Sequence, residues 1–247
     1  MNAFMSESAK WSAPPQSLSL ESGEVHVWRV DLERPEAVLE KFWSTLEPYE
    51  IERANRFHFE KHRRGFVVGR GFLREVVSRY LKSEAASLRF SYGAFGKPAL
   101  DGDSRLQFNM SHSHEVALLA ITEGREVGVD VEHVRTDFAS DEIARRFFSV
   151  CEVDVFNALA TEDQVAAFFR CWTRKEAYIK AIGRGLSQAL DAFDVTLAPG
   201  EPPALLRASE SDPARWTMRD LEVGEEYAAA LMVEGEISTL DCWHFSA

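Results

Sequence analysis

The chain has 247 residues, is 45% hydrophobic and 11% aromatic, and carries a formal net charge of −12. That length holds one large or two small domains with a real core. Its longest apolar runs are a few residues, too short to span a bilayer, and an acidic total makes a poor general nucleic-acid binder.

The opening stretch, MNAFMSESAKWSAPPQ, lacks a basic region followed by an apolar core and a small-residue cleavage site. The expectation is a loosely ordered N-terminus on a cytoplasmic protein. Cys151, Cys171 and Cys242 are odd in number and form no C-x-x-C pair. They read as buried free thiols rather than a disulfide framework or a zinc site.

The alternation in EVHVWRVDL predicts a first strand, and RPEAVLEKFWSTLEPYEIERANRF has helical spacing. Residues 53 to 74 concentrate positive charge. Arg53, Arg56, Lys61, Arg63, Arg64, Arg70 and Arg74 stand against Glu60 alone. Phe66, Val67, Phe72, Leu73, Val76, Val77, Tyr80 and Leu81 form an apolar side from Arg63 onward. Arg63, Arg70 and Arg74 fall within about 40° of one another around the same helix. Such a stripe is either a solvated face or a grip on a discrete polyanion such as a nucleotide. The near absence of acids in the window favours the grip.

SYGAFGKPALDGDSRL reads as loop. LQFNMSHSHEVALLAI predicts a hairpin turning between Ser111 and Glu115. The segment REVGVDVEHV then predicts a third strand, so these three are expected to form one antiparallel set. The boundary between two halves falls near residues 121 to 126. Within the third strand, Val127, Val129 and Val131 share one parity, and Gly128, Asp130 and Glu132 the other. The two acids are thus on one face, about 6.6 Å apart along the strand. Carboxylates that close repel unless water, a base or a cation lies between them. A solvated strand face is the plainer alternative.

Residues 140 to 182 read as mostly helical. DQVAAFFRCWTRKEAYIKAI is the clearest helix in the chain, with Gly183 and Gly185 as its stop. Strands are expected at FDVTL, WTMRDL, YAAALMV and LDCWHF. Phe168, Trp172, Glu176 and Lys180 recur every four residues and line one helical face. Glu176 and Lys180 make either an ordinary surface pair or a site. With Asp130 and Glu132, Glu176 offers three hard oxygen donors, the chemistry that suits Mg2+ together with substrate phosphates. A lysine one turn beyond could hold a phosphate oxygen. Lys97 in FGKP, and Ser111 and His112 in NMSHS, are further candidate anion donors.

In this order, FGKP, FNMSHS, GVDVE and WTRKEAYIKAIGRGL resemble the signature set of the 4'-phosphopantetheinyl transferases, in particular the surfactin-type (Sfp-like) class. The resemblance runs from about residue 50 to residue 195. It implies an α+β fold of two pseudo-twofold-related α/β halves, each a small antiparallel sheet packed with a long helix. Residues 1–123 would form the coenzyme A adenosine and 3'-phosphate side, and residues 124–247 the Mg-binding acids and catalytic helix.

It further implies transfer of the 4'-phosphopantetheine arm from coenzyme A to a serine of an apo acyl- or peptidyl-carrier protein, by a monomer with no nucleic acid or membrane partner. Mg2+ would be held by Asp130, Glu132 and Glu176. Lys180 and Lys97 would bind phosphate, and Ser111 and His112 would lie near the 3'-phosphate. Arg53 aligns with a cofactor-contacting lysine; a cofactor-contacting threonine of some relatives falls near Phe66, which leaves open which of Arg63 and Arg64, if either, takes its place. Glu176 is the candidate general base. The alternatives are another Mg2+-dependent phosphohydrolase, or a non-catalytic nucleotide-binding protein whose acids are solvated faces.

Overall fold

A computed structural model describes residues 10–93, 95–102, 104–185, 188–209 and 211–246. The start of the expected loose N-terminus, residues 1–9, and Leu186 of the GRGL signature lie outside the described residues.

Twelve strands and six α-helices are described. The strands are β1 (Trp11–Ser12), β2 (Glu24–Asp31), β3 (Phe90–Tyr92), β4 (Pro98–Leu100), β5 (Leu106–Ser113), β6 (Val116–Glu123), β7 (Val127–His133), β8 (Phe193–Val195), β9 (Leu205–Ala208), β10 (Trp216–Asp220), β11 (Tyr227–Glu234) and β12 (Thr239–His244). The helices are α1 (Glu36–Trp43), α2 (Pro48–Asn55), α3 (Glu60–Leu81), α4 (Asp141–Phe147), α5 (Val150–Ala158) and α6 (Thr161–Ile182).

A five-stranded sheet has the order β1-β12-β2-β6-β5, and a three-stranded sheet the order β10-β11-β7. The period of two decides which residues go where. On β2, Val25 and Val27 point into a layer shared with Val127, Val129 and Val131 of β7, and with Leu231 and Val233 of β11. Trp28 and Val30, of opposite parity, point instead at Phe72 and Val76 of α3. On β11, Ala230 and Met232 face Phe168, Ala177 and Ile179 of α6. The layers therefore run α3, first sheet, second sheet, α6. Two helices of 22 residues each cover the outer faces, giving the pseudo-twofold α+β architecture.

Several expectations change. The strand β7 does not join the β5–β6 hairpin. It pairs antiparallel with β11, with Asp130 opposite Ala230 and Glu132 opposite Ala228. A pairing across roughly a hundred residues leaves no local mark. The first sheet is mixed rather than antiparallel, because β12 pairs parallel with both β2 and β1. Trp11 and Ser12 are thereby ordered in a strand. The helical stretch before Arg63 breaks into α1 and α2, with Pro48 in the first turn of α2, where a missing N–H costs nothing. The expected loop holds a short hairpin, β3 with β4. Cys171 and Cys242 are buried and their burial raises the thiol pKa, to about 12 for Cys242, whereas Cys151 is exposed. No helix among the described residues is long and apolar enough to cross a membrane.

Two arginines of the α3 stripe, Arg70 and Arg74, are buried rather than solvated, and Arg63 at its outer end is paired with Glu60. Arg74 is fully buried and Arg70 nearly so. Arg70 Nε donates to Glu50 Oε1 at 2.7 Å, and Arg74 Nε to Glu50 Oε2 at 2.8 Å. Arg74 also donates to Glu47 Oε2 at 2.8 Å and to the carbonyls of Ala85 and Leu88, each at 3.1 Å. The acids missing from the basic window stand a few residues upstream of it, on the first turn of α2 and its cap. This network clamps α2 to α3.

Removing one partner of a buried ion pair strands the others in low dielectric, at about 3–5 kcal/mol. Glu50→Ala, which leaves Arg70 without its carboxylate and Arg74 with Glu47 alone, should lower stability by about that much, read as a large drop in the urea midpoint. Glu60→Ala, which removes only the exposed partner of Arg63, should leave the midpoint unchanged.

Candidate functional site

The site begins with the fit of α6 on β7. A Cβ at Gly128 would sit 2.0 Å from the Ala177 carbonyl oxygen and 2.4 Å from the Ala181 nitrogen. Only glycine allows the helix this close. Asp130 and Glu132 share the parity of Gly128 and so face the same helix, which delivers Glu176 and Lys180. Gly183, with φ of 68°, ends α6 in the left-handed conformation just beyond.

Asp130 is buried. Its Oδ1 accepts from Lys180 Nζ at 2.6 Å and from Ser111 Oγ at 2.8 Å. Lys180 also donates to Ser111 Oγ at 2.8 Å. The other oxygen, Asp130 Oδ2, is buried with no hydrogen-bond partner. Glu132 and Glu176 are half-buried. Burial raises the pKa of both, and Asp130 adds to the rise in each; Lys180 partly offsets it. Glu132 acts on Glu176 in the same direction. Three acids from a strand and a distant helix are therefore within electrostatic reach of one another.

His112 lies on the same parity of β5 as Met110, which reaches Gly69 of α3. Its ring is solvent-accessible, yet crowding by protein atoms, then the charges of Lys180 and Arg53, lower its pKa, so the neutral ring is favoured. Arg53 stacks over Phe66 at 5.3 Å. Arg53, Phe66, His112, Lys180 and Asp130 thus make one neighbourhood between the two halves.

Lys97 stands at the adjoining end of α6. It donates to Glu126 Oε2 at 2.9 Å, the Ala181 carbonyl at 3.0 Å and the Val127 carbonyl at 3.3 Å. Arg63 and Arg64 are placed differently. Arg63 holds Glu60 with two bonds of 2.9 Å, and Arg64 holds Glu36 and the Arg34 carbonyl. Both line a cavity of about 300 Å³ between α1 and α3, with Leu39, Trp43 and Val67. Ser111, expected at a phosphate, is buried with its hydroxyl engaged between Lys180 and Asp130.

The donor set can hold a hard divalent cation. All three acids offer oxygen, one buried oxygen is unsatisfied, and mutual repulsion would be relieved by a positive charge. Among the described residues no three His, Cys, Asp or Glu side chains are already closed to metal-holding distance. The ammonium of Lys180 meets the charge of Asp130 instead.

Sequence reasoning missed two groups that support this arrangement. Lys175, beside Glu176 in the motif, is fully buried, with Nζ 2.7 Å from Glu152 and bonded to the Leu190 and Phe193 carbonyls. It fastens α6 to α5 and β8. The other group is a seam of short polar side chains on β5. Asn109 Oδ1 accepts from the Val129 N–H at 2.9 Å, and Ser113 Oγ donates to Glu132 Oε2 at 2.8 Å. The spacing S-x-S, matched to D-x-E, was the available signal.

Comparison with known proteins adds an independent line. A family model described as "4'-phosphopantetheinyl transferase, N-terminal" matches residues 33–124, and one described as "4'-phosphopantetheinyl transferase superfamily" matches residues 126–232. The chain is 39% identical to the 4'-phosphopantetheinyl transferase HetI of Nostoc sp., over 95% of this chain and 98% of that protein. It is 34% identical to the 4'-phosphopantetheinyl transferase Sfp of Bacillus subtilis, over 64% of this chain and 69% of that protein. Among solved structures, a holo-(acyl-carrier-protein) synthase from Bacillus anthracis in complex with CoA (3',5'-ADP) covers 45% of this chain and 96% of its own, with a TM-score of 0.38 and 21% identity.

The raised acids make a testable mark on stability. A carboxyl whose folded pKa exceeds its unfolded value binds protons more tightly in the folded state, so its contribution falls as pH rises. For Glu132 and Glu176 that loss begins near the ordinary value of 4.5 and continues through the raised values. In metal-free buffer, a Glu132→Gln/Glu176→Gln variant should gain stability relative to wild type as pH climbs above 4.5. Urea midpoints across the pH range measure the difference, and a flat difference refutes it.

Proposed function

The chain belongs to the 4'-phosphopantetheinyl transferase family, and from that premise we propose how its residues divide the work. The reaction moves the 4'-phosphopantetheine arm of coenzyme A to a serine of an apo acyl- or peptidyl-carrier protein and releases adenosine 3',5'-bisphosphate. The observation that supports the assignment is the buried, unpartnered Oδ2 of Asp130 beside two glutamates with raised pKa values.

Asp130, Glu132 and Glu176 are the residues that would hold Mg2+. When bound, the ion supplies Lewis acidity and charge neutralisation at the pyrophosphate. The protein supplies the rest. Lys180 and Lys97 present ammonium donors at one end of α6, where they neutralise phosphate oxygens in the ground state and as charge builds on the leaving group. His112, kept neutral, offers a ring N–H to the 3'-phosphate, and Arg53 faces the nucleotide from α2. Arg63 and Arg64, engaged with Glu60 and Glu36, are weaker candidates for nucleotide contact. Group transfer of this kind depends on positioning and electrostatics more than on covalent help.

The carrier serine must lose its proton as its oxygen attacks phosphorus. Glu176 receives it in this reading. Its place on the face of α6 that meets Asp130 and Glu132 puts a carboxylate beside the reacting centre, which is what a positioned base requires. One chain supplies every group named, so the working unit is a monomer, in the cytoplasm where coenzyme A and carriers meet. The carrier is acyl or peptidyl.

Two predictions follow from this assignment. Glu176→Gln should reduce transfer by about 10²–10⁴-fold, the usual contribution of a positioned base, with an unchanged circular dichroism spectrum. Weighing an apo-carrier by mass spectrometry after incubation with coenzyme A reads the result, and near wild-type transfer ends the assignment. Separately, His112→Ala and Lys97→Ala should each raise KM for coenzyme A by about 10-fold or more, as loss of a charge-assisted hydrogen bond does. An unchanged KM in both variants would remove them from the phosphate site.

A further inference from the structure

The strands β5 and β7 lie side by side without sharing a sheet: β5 pairs with β6 and β7 with β11. In place of a backbone ladder, the gap is crossed by side chains of one parity of β5. Asn109 reaches the backbone of Val129, Ser111 reaches Asp130, and Ser113 reaches Glu132. The last two contacts keep the same offset of 19 residues, so two hydroxyls spaced i, i+2 meet two carboxylates spaced i, i+2.

Ser113 is the more informative of the two. Its Oγ accepts the His133 backbone N–H at 3.1 Å and stands 2.8 Å from Glu132 Oε2. A serine hydroxyl has one proton to give. With the N–H of His133 directed at a lone pair, that proton is directed to Glu132. His133 follows Glu132 in the chain, so the same oxygen fixes both the backbone and the side chain of this stretch. Glu132 is half-buried and repelled by Asp130, and without a tether it would turn away from its neighbour. The hydrogen bond opposes that drift.

We infer that Ser113 is a positioning residue for the cation site, holding one oxygen of Glu132 so that the carboxylate stays aimed at the place it shares with Asp130 and Glu176. The inference rests on the reading of these three acids as cation ligands. Hydrogen-bond partners of metal ligands typically contribute about 10–100-fold in metal affinity or activity.

The test uses the full chain and Mn2+ alone, with free Mn2+ measured by electron paramagnetic resonance. Ser113→Ala should weaken Mn2+ binding about 10-fold or more, and Ser113→Thr, which keeps the hydroxyl, should restore it. In turnover, Ser113→Ala should raise the Mg2+ concentration needed for half-maximal rate by a similar factor. Its kcat at saturating Mg2+ and its KM for coenzyme A should stay within about twofold of wild type. A merely structural serine would instead lower the melting temperature or kcat without this split. Wild-type binding of Mn2+ with equal affinity in Ser113→Ala overturns the inference alone. Failure of wild type to bind Mn2+ overturns the three-acid reading as well.

Discussion

The close approach of α6 to β7 is the constraint from which the rest of the molecule takes its order. Helix backbone meets strand backbone at Gly128 with no room for a side chain. Because a strand alternates faces, fixing the direction of Gly128 also fixes Asp130 and Glu132 toward the helix and sends Val127, Val129 and Val131 into the layer between the sheets. Because a helix repeats about every four residues, the turns that touch Gly128 carry Glu176 and Lys180 to the acids. One glycine thus converts two local periodicities into a three-dimensional charge cluster.

That cluster is electrostatically unfavourable by itself. Buried or half-buried carboxylates that repel one another work against folding, and the fold answers with a few directed donors: Lys180 and Ser111 on Asp130, Ser113 on Glu132. Elsewhere the protein spends buried charge differently. Glu50 with Arg70 and Arg74, and Glu152 with Lys175, are closed networks whose members satisfy one another and clamp helices in place. The contrast separates structural charge from functional charge. A closed network leaves no valence for a ligand, whereas the acid cluster keeps an unsatisfied oxygen and two glutamates whose pKa values are raised by burial and by Asp130.

What could be read in the sequence was what repeats locally. The strand GVDVE, the long helix ending at Gly183, the parity of Asp130 with Glu132 and the shared face of Glu176 with Lys180 all follow from spacing alone. Partners distant in sequence were not legible. The pairing of β7 with β11 rather than β6 gave no local signal. The stripe of Arg63, Arg70 and Arg74 reads as unpaired because Glu47 and Glu50 stand just upstream of the basic stretch rather than within it. Two of its arginines prove to be core, and Arg63 is tied to Glu60. Lys175 looked like any motif lysine until its burial showed it to be a fastener. Ser111 reads as an anion donor from its motif, whereas its hydroxyl is committed to Asp130 and Lys180.

The strand β12 returns from the second half to lie between β1 and β2. During synthesis, therefore, the early part of the chain emerges with the outer edge of β2 unpaired, and that edge stays open until Thr239–His244 leaves the ribosome. The nascent first half is not a finished unit that waits for the second. The first sheet is complete only once Thr239–His244 has joined it, so its order depends on a segment far along the chain.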